Sequence, residues 1–293
     1  MGSLVVSHAQ QAWTGFVFLA LASSALYSAG MILNDVYDIK IDAEQRPHRP
    51  LPSGRISTRF ASGLGCFLLG FGVVIAAVCG FQESAAGVPP WRSGLIALLL
   101  AVSVVLYDAT FKKTLLGPLF MGSCRMLNVL LGMSLAALAG GASFSLLNFS
   151  PFHWLIALGI GVYIVGVTWF ARSEAEMSAR AQLGFGLAVM ICGVVLLGLA
   201  PRWAGDDTAF YLDPQVSWPG LLCLLTVVLL RRCVLAIADP QPRRVQAAVK
   251  LSILSLVLLD AAVAMLVSPW YCALAVLALL IPTLFLGRWV YST

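Results

Sequence analysis

The stretch GFVFLALASSALYSAGMIL, residues 15–33, runs directly into NDVYDIKID, residues 34–42. The first part carries no charge and is long enough for a membrane-spanning helix, which needs about 20 apolar residues. The second part places Asp35, Asp38 and Asp42 at the C-terminal end of that helix. Carboxylates there face the negative end of the helix dipole and repel one another. The sequence therefore calls for positive charge at this point.

The whole chain agrees with a membrane setting. Of its 293 residues 60% are hydrophobic and 11% charged, with a mean hydropathy of +0.93. A soluble domain carries roughly 25% charged residues, so this chain lacks the polar surface to face water all round. Apolar runs near 13–33, 58–80, 93–110, 115–139, 152–171, 181–200, 217–236, 245–266 and 270–290 predict about nine transmembrane helices. Runs this long suit helices rather than barrel strands, which alternate over about ten residues. The expected fold is thus an all-α polytopic bundle forming one domain over 1–293.

Charge then orients the bundle. Of the 18 Lys and Arg residues, 15 fall on one side of this parsing; Arg92 and Arg202 fall on the other, and Arg125 lies within a span. The positive-inside rule makes the crowded side cytoplasmic, with the N-terminus outside and the C-terminus inside. All eight tryptophans fall near proposed span ends, as an interfacial aromatic belt requires. The first basic residue is Lys40, which argues against a cleaved signal peptide. The net charge of +5 is modest and no nucleic-acid motif is present, so nucleic acid is not an expected partner. Seven scattered cysteines without a C-x-x-C pair read as small apolar residues within helices.

Spacing i, i+3, i+7 puts Asp35, Asp38 and Asp42 on one helical face. Mg²⁺ is characteristically held by one or two carboxylates together with substrate phosphates, and such an ion would relieve both the repulsion and the dipole conflict. The bland alternative is a solvated loop in which Arg46 and Arg49 form salt bridges to these acids. The chain continues as RPHRPLPSG, residues 46–54, where three prolines stiffen a loop bearing those two arginines. Guanidinium groups suit phosphate oxygens. Acids for a metal beside bases for phosphate make a diphosphate site.

NDVYDIKID with RPHRPLPSG resembles the first aspartate-rich signature of the UbiA superfamily of intramembrane prenyltransferases, matching at Asn34, Asp35, Asp38, Asp42 and Arg49 through Gly54. YDATFKKTLLGPLFMGSCRMLNVLLGMS, residues 107–134, is similar to a family segment carrying a Tyr and a Lys. The stretches 166–183 and 238–250 look most like the EboC-type branch. The resemblance implies a helical bundle with a central cavity open to the membrane and capped by cytoplasmic polar loops. It also implies Mg²⁺-dependent transfer of an isoprenyl group from an isoprenyl diphosphate to a lipophilic, expectedly aromatic, acceptor. On that reading Asp35, Asp38 and Asp42 bind the metal and carry catalysis. Asn34, Arg46, Arg49, Lys112, Lys113, Arg125 and Asn128 contact the diphosphate. Glu174, in FARSEAEMSAR at 170–180, stands where a second motif supplies metal ligands. Glu176 has Arg172 and Arg180 four residues away on either side, which a helical ion-pair ladder explains. The rival reading is a non-catalytic membrane protein that binds or translocates a lipophilic small molecule on the same scaffold.

Overall fold

A computed structural model describes residues 2–83, 88–135, 147–172, 177–205 and 208–282, with side chains from Trp13 onward. Among the described residues every regular element is helical. They group into two compact units. The first holds α1 (Gly2–Tyr37), α2 (Ile39–Gln45), α3 (Thr58–Glu83), α4 (Arg92–Leu106) and α5 (Gly117–Gly132). The second holds α6 (Pro151–Ala171), α7 (Arg180–Leu199), α8 (Ser217–Ala238), α9 (Pro242–Val267) and α10 (Trp270–Ala278).

In the first unit, Ala22, Leu26, Ala29 and Leu33 recur at helical spacing on α1 and are buried. They form the stripe that α3 covers. A Cβ on Gly72 of α3 would sit 3.0 Å from the Ala22 carbonyl oxygen, so only glycine lets the two backbones approach this closely. That matters in a bilayer, where lipid is as apolar as leucine and helices associate through close packing instead. Large side chains on the other faces, such as Phe16, Phe67 and Val74, are exposed, as lipid-facing positions should be.

α4 begins at a guanidinium that sequence alone placed in an extracytoplasmic loop. Arg92 is fully buried. Its Nε donates to the Ser134 carbonyl at 2.8 Å and its Nη1 to the Asn148 carbonyl at 2.7 Å, while the guanidinium lies 4.4 Å from the centre of the Phe149 ring. Leu147 and Asn148 both adopt positive φ, 54° and 57°, presenting their carbonyls to it. At its other end α4 passes into a π turn over Tyr107–Phe111, closed by Lys112 N–H donating to the Tyr107 carbonyl at 2.8 Å.

In the second unit α6 and α7 are the most intimate pair. A Cβ on Gly166 would meet Met190 N at 2.5 Å, and one on Gly193 would meet Tyr163 N at 2.6 Å. Tyr163 donates its hydroxyl to the Ser252 carbonyl at 2.9 Å, tying α6 to α9. Trp218, the second residue of α8, lies at a span end as expected but faces into the protein. It is fully buried and donates Nε1–H to the Leu197 carbonyl at 3.0 Å, joining α8 to α7. A buried indole N–H usually finds such a partner. Trp13, Trp91, Trp203 and Trp270 are exposed, as expected.

Seven helices among the described residues are long and apolar enough to cross a membrane, against about nine expected. The two remaining runs are helical over the part that is described. α5 has 16 residues, roughly 24 Å at 1.5 Å per residue, and an apolar helix is described over Trp270–Pro282, the rest of that run lying outside the described residues.

Candidate functional site

The acidic stretch does not continue α1 as one unbroken helix. α1 ends at Tyr37, the chain turns at Asp38, and α2 resumes at Ile39. The i→i−4 bonds survive the break, from Asp38 N to the Asn34 carbonyl at 3.0 Å and from Asp42 N to the Asp38 carbonyl at 2.9 Å. Arg46 stops α2, because the residue before Pro47 is driven out of helical geometry. The loop that follows closes through Ser53 N donating to the Arg49 carbonyl at 3.0 Å. Gly54 then takes φ +76°, a conformation that side-chain-bearing residues rarely adopt. Ser57 restarts the helix by accepting the Phe60 N–H at 3.2 Å. The loop is thus folded back so that Arg49 meets the acids.

The three aspartates divide between two cations. Arg49 Nη1 lies 2.8 Å from Asp42 Oδ2 and 3.3 Å from Asp35 Oδ1. Lys112 Nζ contacts Asp38 Oδ2 and, at 2.5 Å, Asn34 Oδ1. These are the positive charges that the helix end demands. The salt bridge to Arg49 foreseen by the bland reading is therefore real, but the site is no ordinary solvated loop: the Asp42 side chain is only 9% exposed, and those of Asp38 and Lys112 are 21% and 29% exposed. Beside the Arg49 pair opens a cleft of about 170 Å³ whose remaining walls, including Ile32, Leu51 and Phe60, are apolar. A charged rim with an apolar floor suits an amphiphile.

The π turn decides which lysine takes part. One extra residue in the last turn of α4 rotates the following positions by roughly 100° relative to an α-helix. Lys112 thereby faces Asn34 and Asp38, whereas Lys113 is exposed, as is Arg46. Phe111 stacks on Phe120 at 4.2 Å and fixes the connection into α5. Asn128 Oδ1 accepts the Ser23 hydroxyl at 2.6 Å. Ser23 lies eleven residues before Asn34, roughly 16 Å along α1, so Asn128 serves α1–α5 packing away from the cluster. Arg125, half-buried on α5, is nearly one turn closer to the cluster than Asn128. Glu174 and Glu176 lie outside the described residues.

Whether this cluster suits a divalent cation can be judged from what its oxygens already hold. Among the described residues no three acidic, His or Cys side chains converge on a single point. Yet each cationic nitrogen sits between two oxygens, Arg49 Nη1 between two carboxylates and Lys112 Nζ between a carboxylate and an amide. These nitrogens occupy the places of cations, and hard oxygen donors are what Mg²⁺ takes. The donor set fits.

Among the described residues every regular element is a helix and seven helices are long and apolar enough to cross a membrane, so the chain is an integral, multi-pass membrane protein. The profile of the UbiA prenyltransferase family matches residues 1–176. The chain belongs to that family. A digeranylgeranylglyceryl phosphate synthase from Methanopyrus kandleri is 29% identical over 242 residues, covering 76% of this chain and 78% of that protein. The synthase of the same name from Metallosphaera sedula is 32% identical over 120 residues, which span 41% of this chain and only 39% of that protein. A solved structure, described as giving insights into digeranylgeranylglyceryl phosphate synthase in membranes, superimposes with a TM-score of 0.60 at 19% identity, covering 86% of each chain.

Proposed function

We propose that this protein transfers an isoprenyl group from an isoprenyl diphosphate to a lipophilic acceptor within the membrane, with Mg²⁺ as cofactor. The observation that carries this reading is the pairing of two cations with the oxygens of Asn34, Asp35, Asp38 and Asp42, in a chain of this family. Asp35, Asp38 and Asp42 would hold the ion, with Glu174 as an expected further ligand. When bound, Mg²⁺ would neutralise the diphosphate as its charge develops. Arg49 and Lys112 would contact phosphate oxygens; Arg46 and Lys113, exposed and adjacent in sequence to the cluster, and Arg125 on α5 are further candidates. In the transfer the C1–O bond breaks and its electron pair leaves on the diphosphate. The acceptor's nucleophile forms the new bond to C1 and gives up its proton to solvent. Apolar surroundings shield the developing carbocation from water. The Lys- and Arg-rich side of the chain, where the cluster lies, is read as cytoplasmic, with the N-terminus outside and the C-terminus inside.

The relatives' names favour a second reading of the acceptor, a glyceryl phosphate lipid in place of an aromatic ring. Resemblance to the EboC-type branch rests only on residues 166–183 and 238–250. Incubation of the purified protein with Mg²⁺, a panel of isoprenyl diphosphates and both acceptor classes, followed by mass spectrometry, tests the proposal. A prenylated product identifies the acceptor class. Divalent-dependent binding without any product would favour the non-catalytic rival.

A further inference from the structure

The same two cations that a diphosphate would need are already spent on the aspartates. Lys112 holds Asp38 and Asn34; Arg49 holds Asp42 and Asp35. A divalent ion of the Mg²⁺ type requires near-octahedral oxygen ligands at about 2.0–2.1 Å. At Asp35 Oδ1, Asp42 Oδ2, Asp38 Oδ2 and Asn34 Oδ1 it competes with the guanidinium and ammonium already seated there, so filling those positions displaces a cation. We propose that Arg49 and Lys112 are exchangeable counter-ions: they neutralise the aspartates until a divalent ion takes the oxygens, then turn to the diphosphate. This rests on the diphosphate reading above and adds to it a coupling between the two ligands.

Three features make the exchange physically reasonable. First, both cations are partly open, with Lys112 29% and Arg49 35% exposed, so each has a path from its carboxylates toward solvent. Second, their anchors differ in stiffness. The backbones of Asp38, Asp42 and Lys112 are all hydrogen-bonded, but an aspartate carboxylate hangs on a single methylene, whereas the lysine ammonium rides on a flexible four-carbon stem. The carboxylates therefore stay while the cations move. Third, a displaced cation beside a newly bound divalent ion is repelled unless an anion arrives, and phosphate oxygens are strong acceptors for both side chains. A divalent ion alone must evict a counter-ion without compensation. Diphosphate alone meets three carboxylates and two engaged cations. Together each ligand removes the other's obstacle, and by linkage the favourable effect is reciprocal. Lys112 is on this account a positioning residue as well as a phosphate contact.

The test is isothermal titration of the full chain in detergent with Mg²⁺, with and without inorganic pyrophosphate, at buffered free-ion concentration. Replacing the counter-ion, Lys112→Met, should tighten binding of Mg²⁺ alone by about 5-fold or more and shrink its enhancement by pyrophosphate by a similar factor. Lys40→Met is the control. It removes the same charge from an exposed side chain two residues from Asp38, and should move Mg²⁺ affinity by less than about 2-fold, as a screened surface charge does. Thermal unfolding checks each variant, and Lys112→Gln replaces Lys112→Met should the latter fail to fold. Equal shifts in the Lys112 and Lys40 variants, or weaker Mg²⁺ binding in Lys112→Met, overturn the exchange while leaving the diphosphate reading intact. Absence of pyrophosphate binding to the wild-type protein at every Mg²⁺ concentration overturns both.

Discussion

Two arginines of the first unit, Arg92 and Arg49, solve the problem of a guanidinium near a membrane in opposite ways. Arg92 is fully buried, and its described contacts are neutral: the Ser134 and Asn148 carbonyls and the face of Phe149. Arg49 is 35% exposed and sits between two carboxylates. Carbonyls fixed in a backbone around one guanidinium are neutral acceptors and offer nothing to an incoming anion. Carboxylates at an open rim can trade one cation for another. The contrast separates a clamp that holds helices and a loop together from a cluster whose ions are meant to change.

Breaking the cluster should cost activity. Asp38→Asn removes a carboxylate from the seat of Lys112 and from the expected metal ligands, and turnover should fall by about 10²–10³-fold, as loss of charge stabilisation at a leaving group does. Thermal unfolding of that variant should be nearly unchanged; a collapse in stability instead would show that the cluster is a clamp after all. Breaking the clamp should do the reverse. Arg92→Met leaves the Ser134 and Asn148 carbonyls without their described donor, each at about 1–3 kcal/mol, so stability should drop by about 2–5 kcal/mol in denaturant titration. The folded fraction should keep turnover within a few fold. Loss of turnover out of proportion to unfolding would place Arg92 in the chemistry.

A finer contrast lies inside the cluster. Asp42 is nearly buried and its oxygen is 2.8 Å from Arg49, while Asp35 is 51% exposed at 3.3 Å. Asp42→Asn should therefore lower stability by about 1–2 kcal/mol, discounted from the cost of a fully buried pair because Arg49 reaches solvent. Asp35→Asn should cost less than about 1 kcal/mol. Equal losses in unfolding experiments would mean that Arg49 does not distinguish the two.

Much of this was legible in the sequence because each signal is local. Apolar runs marked the spans, and the acids, bases and prolines of residues 34–54 marked the site. What escaped was geometry that no local pattern encodes. The turn at Asp38 divides the acids between two helices without altering their spacing. The π turn at Tyr107–Phe111 selects Lys112 over Lys113, a choice that counting on 3.6 residues per turn cannot make. Arg92 read as a loop residue because its partners lie 42 and 56 positions away. The inward orientation of Trp218 escaped because its acceptor belongs to another helix.

The central claim is that Asp35, Asp38 and Asp42 bind a diphosphate through a divalent ion. It is tested most directly by equilibrium binding of radiolabelled geranylgeranyl diphosphate to the purified protein, with Mg²⁺ and again with EDTA. Three carboxylates repel a bare diphosphate, so binding should be lost in EDTA and restored when Mg²⁺ is returned in excess. Undiminished binding in EDTA would contradict the account.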